Sequence, residues 1–145
     1  LVLADALSFA KKYNPKLVID LATLTGSAAA AIGHYGIVSM HEGAKKEHEN
    51  LKVIGEKTHE RLAEMPFWSD YNELIKSDVA DIKNLGGPAG GAITAGKFLA
   101  HFADYPWIHL DIAGSTFVKE KYGYRGKGAT GMGVRLLYQF IKNRA

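Results

Sequence analysis

The sequence predicts a layered α/β fold, and three observations predict it. Segments with apolar residues at helical spacing alternate along the chain with short apolar runs of strand length. Two of those runs, Leu17-Val-Ile-Asp-Leu-Ala22 and Trp107-Ile-His-Leu-Asp-Ile-Ala113, are nearly continuous, as in strands buried on both faces. The length, 145 residues, suits one hydrophobic core, and 47% hydrophobic with 23% charged residues is ordinary for a globular domain.

Each element follows from local pattern. Leu3, Ala6, Leu7 and Ala10 share one helical face, with Asp5, Ser8, Lys11 and Lys12 opposite, so a helix is expected at the start. No capping side chain precedes it, and the expectation is a chain cut from a longer one. Asn14-Pro15 breaks the pattern. Residues 17–22 then read as a strand, Thr23-Leu-Thr-Gly26 as a turn, and Ser27 as the cap of an Ala-rich helical turn over residues 28–32. Residues 35–40 read as a second strand. Ala44, Leu51, Ile54, Thr58 and Leu62 share a face, which predicts one amphipathic helix over 42–62 with Glu42–Lys46 and Lys45–Glu49 pairs. Pro66 ends that region. A short helix is expected over 70–75, a strand over 79–85, a flexible loop over 86–91 and a helix of small residues over 92–103. Residues 107–113 form the clearest late strand, 123–133 a Gly- and Lys-rich loop, and 134–142 an apolar C-terminal helix expected to be well buried. No internal repeat or linker interrupts this order.

Composition excludes several functions. No apolar run reaches the roughly 18–20 residues of a membrane span. The chain has no Cys, which removes disulfide scaffolds, Cys-ligated zinc and thiol nucleophiles. Net charge is +3 and uneven: from Lys119 onward seven Lys and Arg residues face the single acid Glu120. A basic segment of this kind is an electrostatic footprint for nucleic acid. No nucleic-acid-binding motif accompanies it, and Lys142 and Arg144 also complement a helix C-terminus, so nucleic-acid binding is the weaker alternative. Gly91-Ala-Ile-Thr-Ala-Gly96-Lys97 matches most of a phosphate-binding P-loop, but Phe98 stands where the magnesium-binding hydroxyl belongs. Neither His41-Glu42 nor His59-Glu60 has the second His of the zinc-protease helix, and a G-x-S-x-G nucleophile elbow is absent.

Open α/β sheets bind ligands beyond the C-terminal ends of their strands. Two strands run into small-residue loops there: Asp20-Leu-Ala-Thr-Leu-Thr-Gly26 and His109-Leu-Asp-Ile-Ala-Gly-Ser-Thr116. Glycine lets backbone approach a ligand closely, so these loops are the candidate cleft wall. Asp20 and Asp111 either act chemically or brace the loops. His109 and Asp111, two apart on a strand, face one way. They form an acid/base or metal-ligand pair or, as the residue pattern favours, a buried hydrogen-bonded group.

Six ordered blocks carry more information together. They are Leu1-Val-Leu-Ala-Asp-Ala-Leu7, Asp20 to Gly26, Ser77-Asp-Val-Ala-Asp-Ile-Lys-Asn84, Gly90-Gly-Ala-Ile-Thr-Ala95, Trp107 to Gly114 and Lys127-Gly-Ala-Thr-Gly131. Over essentially its whole length the chain resembles the C-terminal part of the leucyl (cytosol) aminopeptidase family, the two-metal M17-type peptidases. The resemblance implies a three-layer α/β/α catalytic domain with a central mixed sheet, of which residues 1–145 are the C-terminal portion. It implies release of N-terminal residues such as leucine from peptides, in the cytoplasm, by a homo-hexamer. Two divalent metals, manganese or zinc, would activate water, with a bicarbonate ion as general base. The family's ligand segment directly precedes the block matched by Leu1 to Leu7, so the resemblance implies that this chain holds no catalytic or metal-ligating residue and is inactive alone. What carries over is substrate binding. Leu24 matches a position whose backbone meets bicarbonate and peptide, and Thr23, Gly26 and Ala113 match positions lining the pocket for the N-terminal side chain. Thr116 falls where some members carry a larger apolar residue. Asp20, His109 and Asp111 match no metal ligand, which favours their structural role.

Overall fold

The computed structural model describes residues 1–144. Four strands, β1 (Val18–Ala22), β2 (Ile37–Glu42), β3 (Leu62–Glu64) and β4 (Trp107–Asp111), form one sheet in the order β1-β4-β2-β3. β1 runs parallel to β4 and β2 parallel to β3, while β2 and β4 are antiparallel. The sheet is therefore mixed.

Period-two alternation divides the strand residues between two helical layers. Ile19, Leu21, Ile37, Ile108 and Leu110 pack against α3 (Lys45–Thr58) and α5 (Val134–Lys142) through Leu51, Ile54, Leu136 and Phe140. On the other face Val18 and Trp107 meet α1 (Val2–Ala10) and α4 (Gly91–Ala100) through Ala4, Leu7, Phe98 and Leu99. Val38 and Met40 meet Ala28 of α2 (Gly26–Ile32) and Ala92 and Ile93 of α4. The result is the expected three-layer α/β/α arrangement. Gly96 lets α4 lie close to the sheet: a Cβ there would sit 2.7 Å from Met40 Sδ and 3.1 Å from Phe67.

Several local expectations change. The helix read over 42–62 spans only Lys45–Thr58, because His59 takes a left-handed backbone (φ 56°) and ends it. The chain then returns beside β2, Arg61 O accepts from Ile37 N at 2.8 Å, and Leu62 enters β3. On the surface of α3 the ion pairs run from Lys52 to Glu49 and Glu64 rather than along the expected pairs. Residues 79–85 form no strand. Ser77 Oγ accepts from Val79 N and Ala80 N, at 3.2 and 3.1 Å, curling the segment locally. α2 is capped by Thr25, whose hydroxyl accepts from Ala28 N at 2.9 Å, and not by Ser27. The Gly- and Lys-rich loop contributes β6 (Gly128–Ala129), which pairs with β5 (Phe117–Val118).

The C-terminal helix has an unforeseen partner. Glu60, 1% exposed, accepts from Gly133 N at 3.2 Å, Leu136 N at 2.8 Å and Arg135 Nε at 3.1 Å. It satisfies donors that the first turn of α5 leaves free and places negative charge at that helix start.

Candidate substrate cleft

Ala22 and Asp111 are paired in register, so β1 and β4 end together and release their loops at one edge of the sheet. Asp111 ties the loops to each other. It is 2% exposed, and its Oδ1 accepts from Leu24 N at 3.2 Å and Ala113 N at 3.1 Å. Its Oδ2 accepts from the Thr25 hydroxyl at 2.7 Å. Because that hydroxyl also caps α2, one carboxylate sets the path of both loops and the start of a helix.

The residues read as substrate-binding divide between two places. Leu24 and Gly26 line a cavity of about 340 Å³ closed by Leu85, Gly86, Thr94 and Phe98. Ala113 lines a second cavity, about 600 Å³, with His34 and Tyr122. Thr23 is exposed and lines neither. The Leu24 N–H is committed to Asp111, so the exposed side chain and the carbonyl are what this residue presents. Thr25 and the segment around Gly86 join the site only in three dimensions. A hydroxyl just ahead of an Ala-rich turn is the local signal for Thr25; nothing local points to Gly86, which packs against Thr94 of α4.

Asp20 and His109 lie deeper. Asp20 Oδ2 accepts from Trp107 Nε1 and Oδ1 meets His109 Nδ1, both at 2.6 Å, and the Trp107 and His109 rings stack. Both carboxylate oxygens are thus used between β1 and β4, within the core. The P-loop-like run is helix α4, and the Lys97 ammonium lies 3.8 Å from the Phe67 ring centre. Burial holds Lys97 below its ordinary pKa. In the basic C-terminal segment, Arg125 donates to His59 O, and Arg135 donates to Glu60 and to the Tyr124 hydroxyl.

The second loop has little slack. A Cβ on Gly114 would lie 2.2 Å from Gly33 O and 3.0 Å from Ala29 Cα. Gly114→Ala is expected to destabilise the chain by about 1–3 kcal/mol by pushing this loop off α2. A shift of the unfolding midpoint in urea checks it; an unchanged midpoint would show that the two backbones separate freely.

A mixed sheet between two helical layers, with the loops of two adjacent parallel strands tied beside a cavity, defines a three-layer α/β architecture of the kind that binds ligands at its strand ends. The chain belongs to the cytosol aminopeptidase family, whose catalytic-domain model matches residues 1–138. It is 47% identical to a probable cytosol aminopeptidase of Geotalea uraniireducens, covering 98% of this chain and 29% of the relative. A counterpart in Chlorobaculum tepidum is 48% identical, with 98% and 28% covered. Among solved structures, a mutant of tomato leucine aminopeptidase superimposes with TM-score 0.88 at 38% identity, over 97% of this chain and 27% of that one. The bottromycin maturation enzyme BotP in complex with Mn gives TM-score 0.91 at 31% identity, over 99% and 32%. The chain therefore spans under a third of the length of these relatives. No helix of the described residues is long and apolar enough to cross a membrane.

Proposed function

We propose that this chain forms one wall of the substrate cleft in a metal-dependent aminopeptidase that removes N-terminal residues such as leucine from peptides. The observation that carries this reading is the Asp111 tie, which holds the β1 and β4 loops against a cavity in a chain of this family. Leu24 and Gly26 contact the N-terminal residue of the peptide from inside that cavity. Thr23, exposed in the same loop, and Ala113, in the neighbouring cavity, are assigned to the wall by the family resemblance. The names of the relatives favour a cytoplasmic setting, and a homo-hexamer is carried over from the family resemblance.

The two metals of such an enzyme are divalent, with manganese favoured by the BotP complex and zinc as the alternative; bicarbonate is a further expected ligand. When bound, the metals supply an activated water and polarise the scissile carbonyl. The carboxylates of this wall do not fit as their ligands. Asp20 and Asp111 have every oxygen turned to a donor within the fold. The ligands are supplied from outside these 145 residues, and the work of this chain is to bind and orient the substrate.

The protein that carries this chain is expected to release the amine from a leucyl chromogenic amide with manganese or zinc, and to stop on chelation. Absence of turnover with either metal would overturn the activity. The 145 residues alone are expected to give none, and turnover by them would place the ligands within this chain. Cavity shape offers a finer test. A Cβ on Gly26 meets nothing within 4 Å, so Gly26→Val keeps the fold while narrowing the cavity. KM for the leucyl substrate is expected to rise roughly tenfold. An unchanged KM would remove Gly26 from the wall.

A further inference from the structure

β2 and β3 place a second group of polar side chains at the other end of the sheet. Ser39 and His41 are two apart on β2 and so face one way, towards α3, and Glu64 of β3 is in register with Ser39. α3 lays His48 across them. His41 Nε2 is 3.5 Å from Glu64 Oε1, and His48 Nδ1 is 3.9 Å from Glu64 Oε2. One ligand atom from each of the three residues lies within 4.8 Å of the others. In register His41 stands beside Ile108, three residues before Asp111 on β4, so the group lies away from the loops that Asp111 ties.

We propose that His41, His48 and Glu64 form a binding site for a divalent cation of the zinc class. A polar cluster at a helix–sheet contact is ordinarily satisfied by its own hydrogen bonds, and this one is not. His48 is fully buried, and its Nδ1, turned towards Glu64, has no hydrogen-bond partner among the described residues. Its other nitrogen, Nε2, is 2.9 Å from Ser39 Oγ. An imidazole held by a hydroxyl at one nitrogen with the other bare is the arrangement in which metal-ligating His is oriented. His41 has a buried, unpartnered nitrogen as well.

The donor set selects the ion. Two imidazoles and a carboxylate suit Zn²⁺, or Co²⁺ in its place, with a fourth position for water, whereas Mg²⁺ and Ca²⁺ favour all-oxygen shells. Ligand atoms about 2.1 Å from a tetrahedral ion are roughly 3.4 Å apart, so the separations here close with small side-chain rotations. His41 and Glu64 also line a cavity of about 570 Å³, which provides the entry path. Lys52 is the competitor: its ammonium is 2.8 Å from Glu64 Oε2 and 3.2 Å from Glu49 Oε1. Losing the Glu64 contact leaves it paired with Glu49, and the ion takes its place. Bound there, the ion would pin α3 to β2 and β3.

The test uses the protein that carries this chain, stripped of metal and titrated with Zn²⁺ and with Co²⁺. Wild type is expected to bind one equivalent more than His41→Ala or Glu64→Gln, both at partly exposed positions where the fold should persist. The same variants are expected to lose the visible bands of a four-coordinate Co²⁺ site. Ser39→Ala, which removes only the orienting hydroxyl, is expected to weaken that equivalent roughly 10- to 100-fold. Lys52→Met, which removes no ligand, is expected to tighten it. Equal stoichiometry and equal Co²⁺ spectra in wild type and both ligand variants would overturn the site. So would an unchanged affinity in Lys52→Met.

Discussion

Asp111→Ala is expected to lower stability by about 3–4 kcal/mol and to abolish turnover in the protein that carries this chain. Hydrogen bonds to an ionised group contribute about 1.5–3 kcal/mol each, and three donors converge on this buried carboxylate. Its loss leaves Leu24 N and Ala113 N without an acceptor and removes the group that orients Thr25. The loops then drift relative to each other, and the wall they form loses its shape. Asp111→Asn separates the two effects. Its amide oxygen still accepts from Leu24 N and Ala113 N, and the Thr25 hydroxyl can reverse to accept from the new NH₂. A loss of only about 1 kcal/mol is expected. Urea midpoints and the kcat and KM of a leucyl amide read both variants. An alanine variant as stable and active as wild type would show that the loops hold themselves.

Glu60→Ala is expected to have a comparable effect on stability, about 3 kcal/mol, through a different element. It strips the buried acceptor from Gly133 N and Leu136 N, and with it the negative charge at the start of α5. That helix fills one layer of the core through Leu136 and Phe140, so it cannot fray without opening the layer. Glu60→Gln is expected to lose only about 1 kcal/mol, because its oxygen keeps the backbone donors while Arg135, half exposed, turns to solvent. Amide hydrogen exchange in α5 is the direct measurement. Faster exchange confined to residues of α5 supports the role, and unchanged exchange in the alanine variant would refute it.

Much of the architecture was legible because burial on both faces writes itself into composition. β1, β4 and α5 each read as apolar-rich runs of the right length; β4 is buried throughout, β1 is half-buried around Asp20, and α5 buries Leu136 and Phe140 while leaving Val134, Tyr138 and Ile141 exposed. Residues 79–85, with Val79, Ile82 and Leu85, also read as a strand, yet Val79 is 99% exposed and pairs with no strand among the described residues. A strand needs a neighbour's free backbone edge, and no local pattern announces whether one is near. The end of α3 failed for a related reason. Helical spacing continues through Leu62, but the left-handed turn at His59 and the free edge of β2 draw that residue into the sheet.

The sites divide along the same line. Glycines and hydroxyls at two strand ends single out the two loops in the sequence, because small residues there permit close backbone approach. Sequence leaves the role of Asp111 between chemistry and bracing, and its three donors, two of them 86 and 87 residues away in the chain, decide for bracing. Glu60 read as part of a failed zinc-protease motif, while its partners lie 73 to 76 residues further on. His41, His48 and Glu64 carry no telling spacing at all; two strands and a helix bring them together. Sequence alone determined the family, the layered α/β class and the place of the two small-residue loops, since these rest on local pattern and short motifs. The tertiary structure alone decided which buried polar groups hold the loops, which cap a helix and which are left without a partner among the described residues. Those roles depend on partners distant in the chain, and hydrogen bonding and coordination act only at a few ångströms.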